Sequence, residues 1–377
     1  MSYFKEKINL VLLFIFLSTS LSLAQLNIEN VNFSSKNWKT LGSAKVVGYG
    51  PNTTTSISEG VGIAYLEGLE FENGVIECDL FSPTKRAFLG LAFRISKLNN
   101  FECIYFQPHT SGQWDAVQYD PIFNSSATWQ LYNGKSYQAV ADIPTKQWFH
   151  VKIEVIGDTA KVYLNNSQNH TLAVKLKHDA KIGSVGVYSY HPAIFKNLKF
   201  IKYHTSFNSE KLRESNNEDK SYISNWLVSD PYNNYNFTKD IEYLNKKMDK
   251  WHSISAEENH LINLNRHFNV TKTTNTVLAK VIIESNKKQN KKLNFGYSDK
   301  IRIYLNSKKI FEGDNSFTES ENYKERGYVV DGHKIIDLPL NRGKNELVLE
   351  ISEKKFGWGF ITRMSDMDGI KIFNIGE

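Results

Sequence analysis

Two carboxylates, Glu77 and Asp79, stand two positions apart in the segment GVIECDLF. Side chains on a β-strand alternate between two faces, so Ile76, Cys78 and Leu80 would face a core and the two acids would face outward. Glycoside hydrolysis commonly uses carboxylates about 5–5.5 Å apart for retention and about 6.5–9.5 Å apart for inversion. Residues two apart on a strand are separated by about 6.5–7 Å. Glu77 and Asp79 are therefore candidate catalytic residues, although acidic pairs at this spacing are common.

The next two apolar segments predict a polar face beside the same core. In FECIYFQPH, the residues Tyr105, Gln107 and His109 alternate with apolar residues, and in FLGLAFRI the residue Arg94 shares a face with two small residues. Consecutive strands joined by short turns tend to be neighbours, so these residues are expected to join Glu77 and Asp79. Amide, guanidinium and ring groups beside small residues suit a sugar. His109 is also a candidate general base.

A second candidate zone is a loop-rich stretch between residues 114 and 132, where binding residues tend to lie. Its polar and aromatic residues are Trp114, Asp115, Gln118, Tyr119, Asp120, Trp129, Gln130 and Tyr132.

Each of these sets also has a purely structural interpretation. Glu77 and Arg94 could form a salt bridge on a solvated sheet face. No cluster of His, Cys and carboxylate at ligand spacing surrounds His109, so we expect no metal site. The sequence leaves any cofactor unknown.

Short runs of alternating apolar and polar residues predict strands across the first half of the chain. They are separated by Gly, Asn, Pro and Asp, at the spacing typical of a β-sandwich. Trp148 begins a strongly apolar run and is predicted to lie in the core. The predicted strands are 74–81, 87–95, 101–108, 115–119, 148–156, 159–165 and 184–190.

The composition changes to Ser, Asn, Glu and Lys between residues 204 and 224, which predicts a linker. A charged helix over 237–250 is possible after it, and then strands resume, with a turn predicted at 296–299. The sequence therefore predicts an all-β chain of two β-sandwich (jelly-roll) domains, at 25–204 and 225–377, joined by a polar linker at 205–224. The later strands are 277–284, 300–305, 334–339, 345–352 and 359–363.

The first 24 residues resemble a secretory signal peptide. Lys5 and Lys7 precede an apolar run at 8–17, which ends in small residues up to Ala24. We therefore expect export to the periplasm, the cell surface or the medium, and no transmembrane segment in the mature chain. The formal net charge of the 377 residues is +6, and no nucleic-acid motif accompanies it, so no nucleic-acid partner is expected.

Two cysteines, Cys78 and Cys103, are present in the whole chain. They cannot provide a disulfide framework. Alternation places Cys78 on the core face and Cys103 on the opposite face with a strand between them, so both are predicted to be free thiols.

Several segments resemble the concanavalin A-like lectin/glucanase superfamily, in the laminin-G-like branch that includes 3-keto-disaccharide hydrolase domains. They are FENGVIECDLF, FLGLAFRI, FECIYFQPHTSGQWDAVQY, WFHVKIEVIGDTAKVYLNN and GSVGVYSYHPAIFKNLKF. Glucanases of that superfamily carry a Glu-x-Asp-x-x-Glu strand. Glu77 and Asp79 match its first two acids, but Ser82 occupies the position of the third, which argues against that mechanism.

The second half is similar to the galactose-binding-like jelly rolls of bacterial carbohydrate-active enzymes, in LNFGYSDKIRIYLNSKKIFEGDN, LPLNRGKNELVLEIS and FGWGF. Together the two resemblances imply an exported carbohydrate-active protein of polysaccharide breakdown, with a polysaccharide or oligosaccharide as its partner. The residues fit a glycoside hydrolase or polysaccharide lyase and equally fit a non-catalytic carbohydrate-binding protein. A structural surface-interaction module would need none of the polar residues.

Overall fold

A computed structural model describes residues 27–30, 37–47, 54–203, 219–233, 241–320 and 322–373. The predicted signal peptide and most of the predicted linker lie outside these residues. The described chain is almost entirely β-structure, which confirms the predicted all-β class.

The first sandwich consists of antiparallel strands that form one continuous sheet folded into two layers. The order of the main path is β11-β10-β9-β4-β13-β3-β12-β5-β6-β7-β8, with β1 beside β13 and β2 beside β3. The strands are β1 (Asn27–Asn30), β2 (Trp38–Val47), β3 (Thr54–Leu66), β4 (Gly74–Phe81), β5 (Phe88–Lys97), β6 (Asn100–Phe106), β7 (Val117–Tyr119), β8 (Gln138–Ala139), β9 (Trp148–Ile156), β10 (Thr159–Leu164), β11 (Leu172–Lys175), β12 (Ser184–Tyr190) and β13 (Ala193–Lys202).

The long strand β3 belongs to both layers, because its first part pairs with β13 and its later part pairs with β12. We call the layer with β4, β9 and β13 the front sheet and the layer with β5, β6 and β12 the back sheet. Phe106 of the back sheet meets Phe149 of the front sheet with ring centroids 5.8 Å apart. The core between the sheets therefore follows the predicted alternation, and Ile76, Leu91 and Phe93 are fully buried in it.

One predicted adjacency is wrong. Three strands, β13, β3 and β12, lie between β4 and β5. Chain order did not give spatial order here because β12 and β13, which lie about 100 residues later in the sequence, insert between β4 and β5 together with the preceding strand β3. The prediction that Trp148 lies in the core is also wrong: its side chain is 40% exposed and faces outward beside Phe81.

The second sandwich has a larger sheet ordered β15-β14-β17-β22-β19-β20, with β24 beside β17, and a smaller sheet ordered β16-β23-β18-β21. Trp226 and Trp358 are fully buried between them. A short helix, α1 (Ile241–Lys247), lies within the predicted helical range. The strands are β14 (Asn225–Ser229), β15 (Trp251–Ser255), β16 (Ile262–Asn263), β17 (Thr276–Ser285), β18 (Gln289–Ser298), β19 (Lys300–Leu305), β20 (Lys308–Asp314), β21 (Lys334–Leu340), β22 (Gly343–Ser352), β23 (Gly359–Met364) and β24 (Ile370–Phe373).

The predicted turn at 296–299 is wrong, because strand β18 runs through Gly296 and ends at Ser298. Gly296 does not form a turn; its lack of a side chain lets the strand pack closely against the backbone of Val330. A Cβ on this residue would lie 2.1 Å from the carbonyl oxygen of Val330.

The two sandwiches share an extensive interface. Leu261, Val329 and Ile361 of the second sandwich are buried in the core cluster of the first. The last residues of the predicted linker also pack against the second sandwich, since Ile223 is buried and its amide donates to the carbonyl of Thr362.

Candidate functional site

A row of side chains crosses the outer surface of the back sheet in register. Tyr188 of β12 lies opposite Gly90 of β5, and Gly90 lies opposite Tyr105 of β6. The row continues through Gln118 of β7 to Gln138 of β8. Two tyrosines therefore stand on either side of a position without a side chain.

The glycine in this row is required by the backbone. A Cβ on Gly90 would lie 2.1 Å from the carbonyl oxygen of Ile104, and a Cβ on Gly186 in β12 would lie 2.4 Å from the carbonyl oxygen of Ala64. Neither position can take a larger residue without moving a strand. Both glycines are buried, and the backbone of the neighbouring strand fills the space that a side chain would need.

We define the aromatic face as Tyr65, Phe88, Tyr105, Tyr188 and Tyr190, which lie on this outer surface of the back sheet. The ring centroid of Phe88 is 5.7 Å from that of Tyr105 and 6.1 Å from that of Tyr190. Tyr105 is buried, Phe88 and Tyr188 are half-buried, and Tyr190 is 45% exposed. Such a graded set of rings can cover the apolar face of a pyranose while its hydroxyl groups reach polar partners.

His109 lies at one end of the aromatic face, with its ring centroid 4.8 Å from that of Phe88. Burial, together with the charges of Arg86 and Arg326, lowers the pKa of His109 to about 4. The imidazole is therefore neutral at physiological pH. Its Nδ1 atom is buried without a hydrogen-bond partner among the described residues.

Asp120 is a buried carboxyl group beside the same face, and its charge acts on Tyr105 and Tyr188. Burial raises the pKa of Asp120 to about 7, against the opposing effect of the backbone N–H groups of Thr128 and Trp129. The amide of Thr128 donates to its Oδ1 over 2.7 Å. The carboxyl therefore organises the 128–132 turn and is also partly protonated near neutral pH.

The predicted catalytic pair lies elsewhere, on the outer surface of the front sheet. His150 contacts both acids, with Nδ1 2.7 Å from Asp79 and Nε2 3.5 Å from Glu77. Lys199 forms an ion pair with Glu77 at 2.5 Å, and Asn197 donates to Asp79 over 2.6 Å. The prediction that Glu77 and Asp79 share one surface with the back-sheet residues is therefore wrong. Any chemistry that the two acids perform would take place away from the tyrosines.

The predicted position of Arg94 as a ligand-facing residue is wrong. Its side chain is 1% exposed, with Nε and Nη2 donating to the carbonyl of Glu72 and Nη2 donating to the carbonyl of Gly157. The strand pairing of β5 with β6 becomes irregular after Phe93, and Arg94 has a φ of 50°. This irregularity breaks the alternation on which the prediction depended.

The second predicted zone forms the contact between the sandwiches. Trp129 lies among Phe317, Tyr328 and Phe356, with ring centroids 5.4–5.5 Å away, and Trp114 packs 5.6 Å from Tyr328. Exposed loop residues were expected here, but loops of the second sandwich cover them.

The remaining predicted binding residues are also occupied by protein contacts. Gln107 donates to the carbonyl of Asp115, and Gln118 donates to the carbonyl of Tyr132. Tyr119 is buried in the core and donates to Glu102 over 2.5 Å. Of the predicted site residues, Tyr105 and His109 lie at the aromatic face. Gln107 and Gln118 are buried beside it.

Sequence reasoning missed Phe88, Tyr188 and Tyr190 as site residues. Their signal was present, since Tyr188 and Tyr190 alternate with buried residues of β12 and that strand was predicted at its full length. The sequence alone could not show that β12 pairs with β5, which brings these tyrosines next to Phe88 and Gly90.

The described residues contain no group of three or more His, Cys, Asp or Glu that could hold a metal ion. Within the same ranges, no helix is long and apolar enough to cross a membrane.

Residues 31–201 match the family model of the 3-keto-alpha-glucoside-1,2-lyase-like domain. The match covers almost the whole first sandwich and less than half of the chain. It confirms the resemblance of this half to 3-keto-disaccharide hydrolase domains; the resemblance of the second half to galactose-binding-like modules stays a prediction. No curated protein matches the chain.

Several solved structures are similar in fold. The carbohydrate binding module CBM66 from Bacillus subtilis has 18% identity and a TM-score of 0.35, covering 43% of this chain and 93% of its own. A putative glycosyl hydrolase from Parabacteroides distasonis has 11% identity and a TM-score of 0.32, covering 45% and 89%. A beta-glucanase from Bacillus licheniformis has 9% identity and a TM-score of 0.33, covering 47% and 97%. Similarities this weak do not say what this chain binds.

Proposed function

We propose that the chain is an exported protein that binds a polysaccharide or oligosaccharide across the aromatic face of the first sandwich. The observation that carries this proposal is the row in which Tyr188 and Tyr105 flank Gly90. The half-buried rings of Phe88 and Tyr188 and the exposed ring of Tyr190 provide a stacking surface for a sugar ring on this side of the sheet. The description of the matching family names a glucoside, which agrees with a carbohydrate ligand.

Polar groups at the edges of the face support the same ligand class. The hydroxyl groups of Tyr65, Tyr188 and Tyr190 can each donate and accept a hydrogen bond. His109 adds a neutral imidazole. A ligand rich in hydroxyl groups and without a required charge fits such a set better than a nucleic acid, whose binding depends on phosphate contacts.

Cleavage of the bound glycan is a second candidate function, and Asp120 is the observation that favours it. A carboxyl group with a pKa of about 7 retains its proton for a fraction of the time near neutrality, as a general acid must. Its side chain is 2% exposed, and its charge acts on Tyr105 and Tyr188 of the aromatic face. A hydrolase or lyase would therefore use Asp120 before the distant pair Glu77 and Asp79.

Export rests on the leader-like sequence of the first 24 residues. Mass spectrometry of the protein recovered outside the cytoplasm should give a chain that begins at Gln25. An intact amino terminus on the recovered protein would contradict this part of the proposal.

Binding and cleavage are tested together on a panel of soluble starch, xylan, pectin, alginate and laminarin. Affinity electrophoresis measures binding, while new reducing ends and the absorbance of unsaturated products report hydrolysis and lyase activity. Retardation by at least one polysaccharide without product supports binding alone, and product formation supports the second candidate. Absence of both on every member contradicts the proposed function.

A further inference from the structure

The second sandwich brings a carboxylate to the His109 end of the aromatic face. Glu319, which follows β20, forms a two-pronged ion pair with Arg86, with N···O distances of 2.7 and 3.3 Å. Arg86 stands two residues before Phe88 in the first sandwich. The charge of Arg86 acts on both His109 and Tyr190, and His109 in turn acts on Glu319. The pair therefore borders the face.

This ion pair is not needed to hold the sandwiches together. Its side chains are 53% and 66% exposed, and exposed ion pairs of this kind contribute little to the free energy of unfolding. The interface is already held by largely buried contacts, among them the ion pair of Arg326 with Asp115 and the packing of Trp129. A role in recognition fits the position of Arg86 and Glu319 better than a role in stability.

The pair retains unused hydrogen-bonding capacity. A carboxylate has about four acceptor sites, and a guanidinium has several N–H donors in a fixed plane. The Arg86–Glu319 contact uses two N–H groups and one site on each oxygen. Adjacent hydroxyl groups on a sugar ring can donate to a carboxylate and accept from a guanidinium at once, and such planar two-point contacts fix orientation.

We propose that the second sandwich completes the glycan site, and that Arg86 and Glu319 together bind a pair of adjacent hydroxyl groups on a sugar at the His109 end of the aromatic face. This inference rests on the proposed function and specifies its ligand. A 1,4-linked chain such as starch, xylan or pectin carries free adjacent hydroxyl groups on each unit. A 1,3-linked glucan such as laminarin lacks them within the chain. The wild-type protein should therefore prefer the first group.

The test compares Glu319→Gln with the wild type on soluble starch, xylan, pectin and laminarin by affinity electrophoresis. The amide keeps the size of the side chain but loses the charge that pairs with Arg86 and one of the two oxygen acceptors. We expect about tenfold weaker binding to each 1,4-linked polysaccharide that binds the wild type, as for the loss of one charge-assisted hydrogen bond. The melting temperature should not change.

Asp179→Asn is the matched control. Asp179 is also an exposed acid in an ion pair between the sandwiches, 3.4 Å from Arg266, and no described contact links it to the aromatic face. The control should bind as the wild type does. Equal binding by Glu319→Gln and wild type on every polysaccharide that binds, or a wild-type preference for laminarin, would overturn the inference while leaving glycan binding intact. If the wild type binds none of the panel, the proposed function itself fails.

Discussion

Arg326 of the second sandwich donates a hydrogen bond to the carboxylate of Asp115 in the first, over 3.2 Å, and both side chains are largely buried. Burial raises the pKa of Asp115, and the charge of Arg326 opposes this effect. The contact joins two units that the sequence predicted to be separate domains. Its contribution to the free energy of unfolding therefore reports how strongly the two sandwiches stabilise each other.

Removing Arg326 should destabilise the protein. Arg326→Ala leaves a buried carboxylate without its charged partner, which costs about 3–5 kcal/mol of unfolding free energy. The folded-state pKa of Asp115 should rise further above its unfolded value. A group with a raised pKa loses stability as pH rises through that pKa, so the deficit should be larger at pH 8 than at pH 5. Urea unfolding at both pH values measures this, with Asp115→Asn/Arg326→Ala as the control that removes the charge. A deficit independent of pH would show that Asp115 does not respond to Arg326.

The linker composition predicts that a protease cuts first between residues 204 and 224. The interface adds a second expectation: the two fragments should stay together after the cut, because Leu261, Val329 and Ile361 are buried in the core of the first sandwich. Denaturing electrophoresis should show two fragments of similar size, and gel filtration of the same digest should show one peak. Two separate folded peaks would mean that this interface is weak in solution.

Both cysteines are free, as the sequence predicted, and both are buried, including Cys103, which alternation placed on the face opposite the core. Burial raises the pKa of each thiol well above its usual value, so the reactive thiolate is scarce at neutral pH. In native protein at pH 8 neither Cys78 nor Cys103 should react with a thiol reagent, and both should react in urea. Rapid labelling of Cys103 without denaturant would show that the outer surface of the back sheet opens readily.

Arg94→Ala should destabilise the first sandwich instead of weakening ligand binding. The substitution removes the charge-assisted hydrogen bonds that the buried guanidinium donates to the carbonyls of Glu72 and Gly157, at about 1.5–3 kcal/mol for each. Arg94→Lys should recover little, because a single ammonium cannot reproduce the planar fork of the guanidinium. Thermal unfolding of both variants, with the neighbouring core variant Phe93→Ala as a positive control for destabilisation, measures this. An Arg94→Ala variant of unchanged stability and lost binding would restore the original sequence-based prediction.

The sequence predicted the strands far better than their neighbours. Strands β4, β9, β12 and β19 were predicted at their exact bounds, because alternation and turn residues are local signals. The separation of β4 from β5 was missed, since it depends on β12 and β13 from a distant part of the chain. Which strands pair depends on residues that are far apart in sequence, and the alternation within one strand contains no information about its partners.

The candidate site was predicted in part for the same reason. Alternation correctly grouped Tyr105 with His109 beside Gly90, but it could not show that β12 adds Tyr188 and Tyr190 to the same surface. It failed at Arg94, where an irregularity in strand pairing breaks the period. It also could not show that the loop bearing Trp129 is covered by the second sandwich. The aromatic residue types that are common in protein interfaces are also common in ligand-binding sites.

The aromatic face is tested most directly by comparing two exposed aromatic residues on opposite surfaces of the first sandwich. Tyr190 lies on the back sheet within the face, and Trp148 lies on the front sheet outside it. Both side chains are about equally exposed, so replacing either with Ala should change stability little. The affinity of wild type, Tyr190→Ala and Trp148→Ala for the polysaccharide that binds best is measured by affinity electrophoresis. We predict at least tenfold weaker binding for Tyr190→Ala and unchanged binding for Trp148→Ala; the reverse pattern would place the ligand on the front sheet and contradict the account.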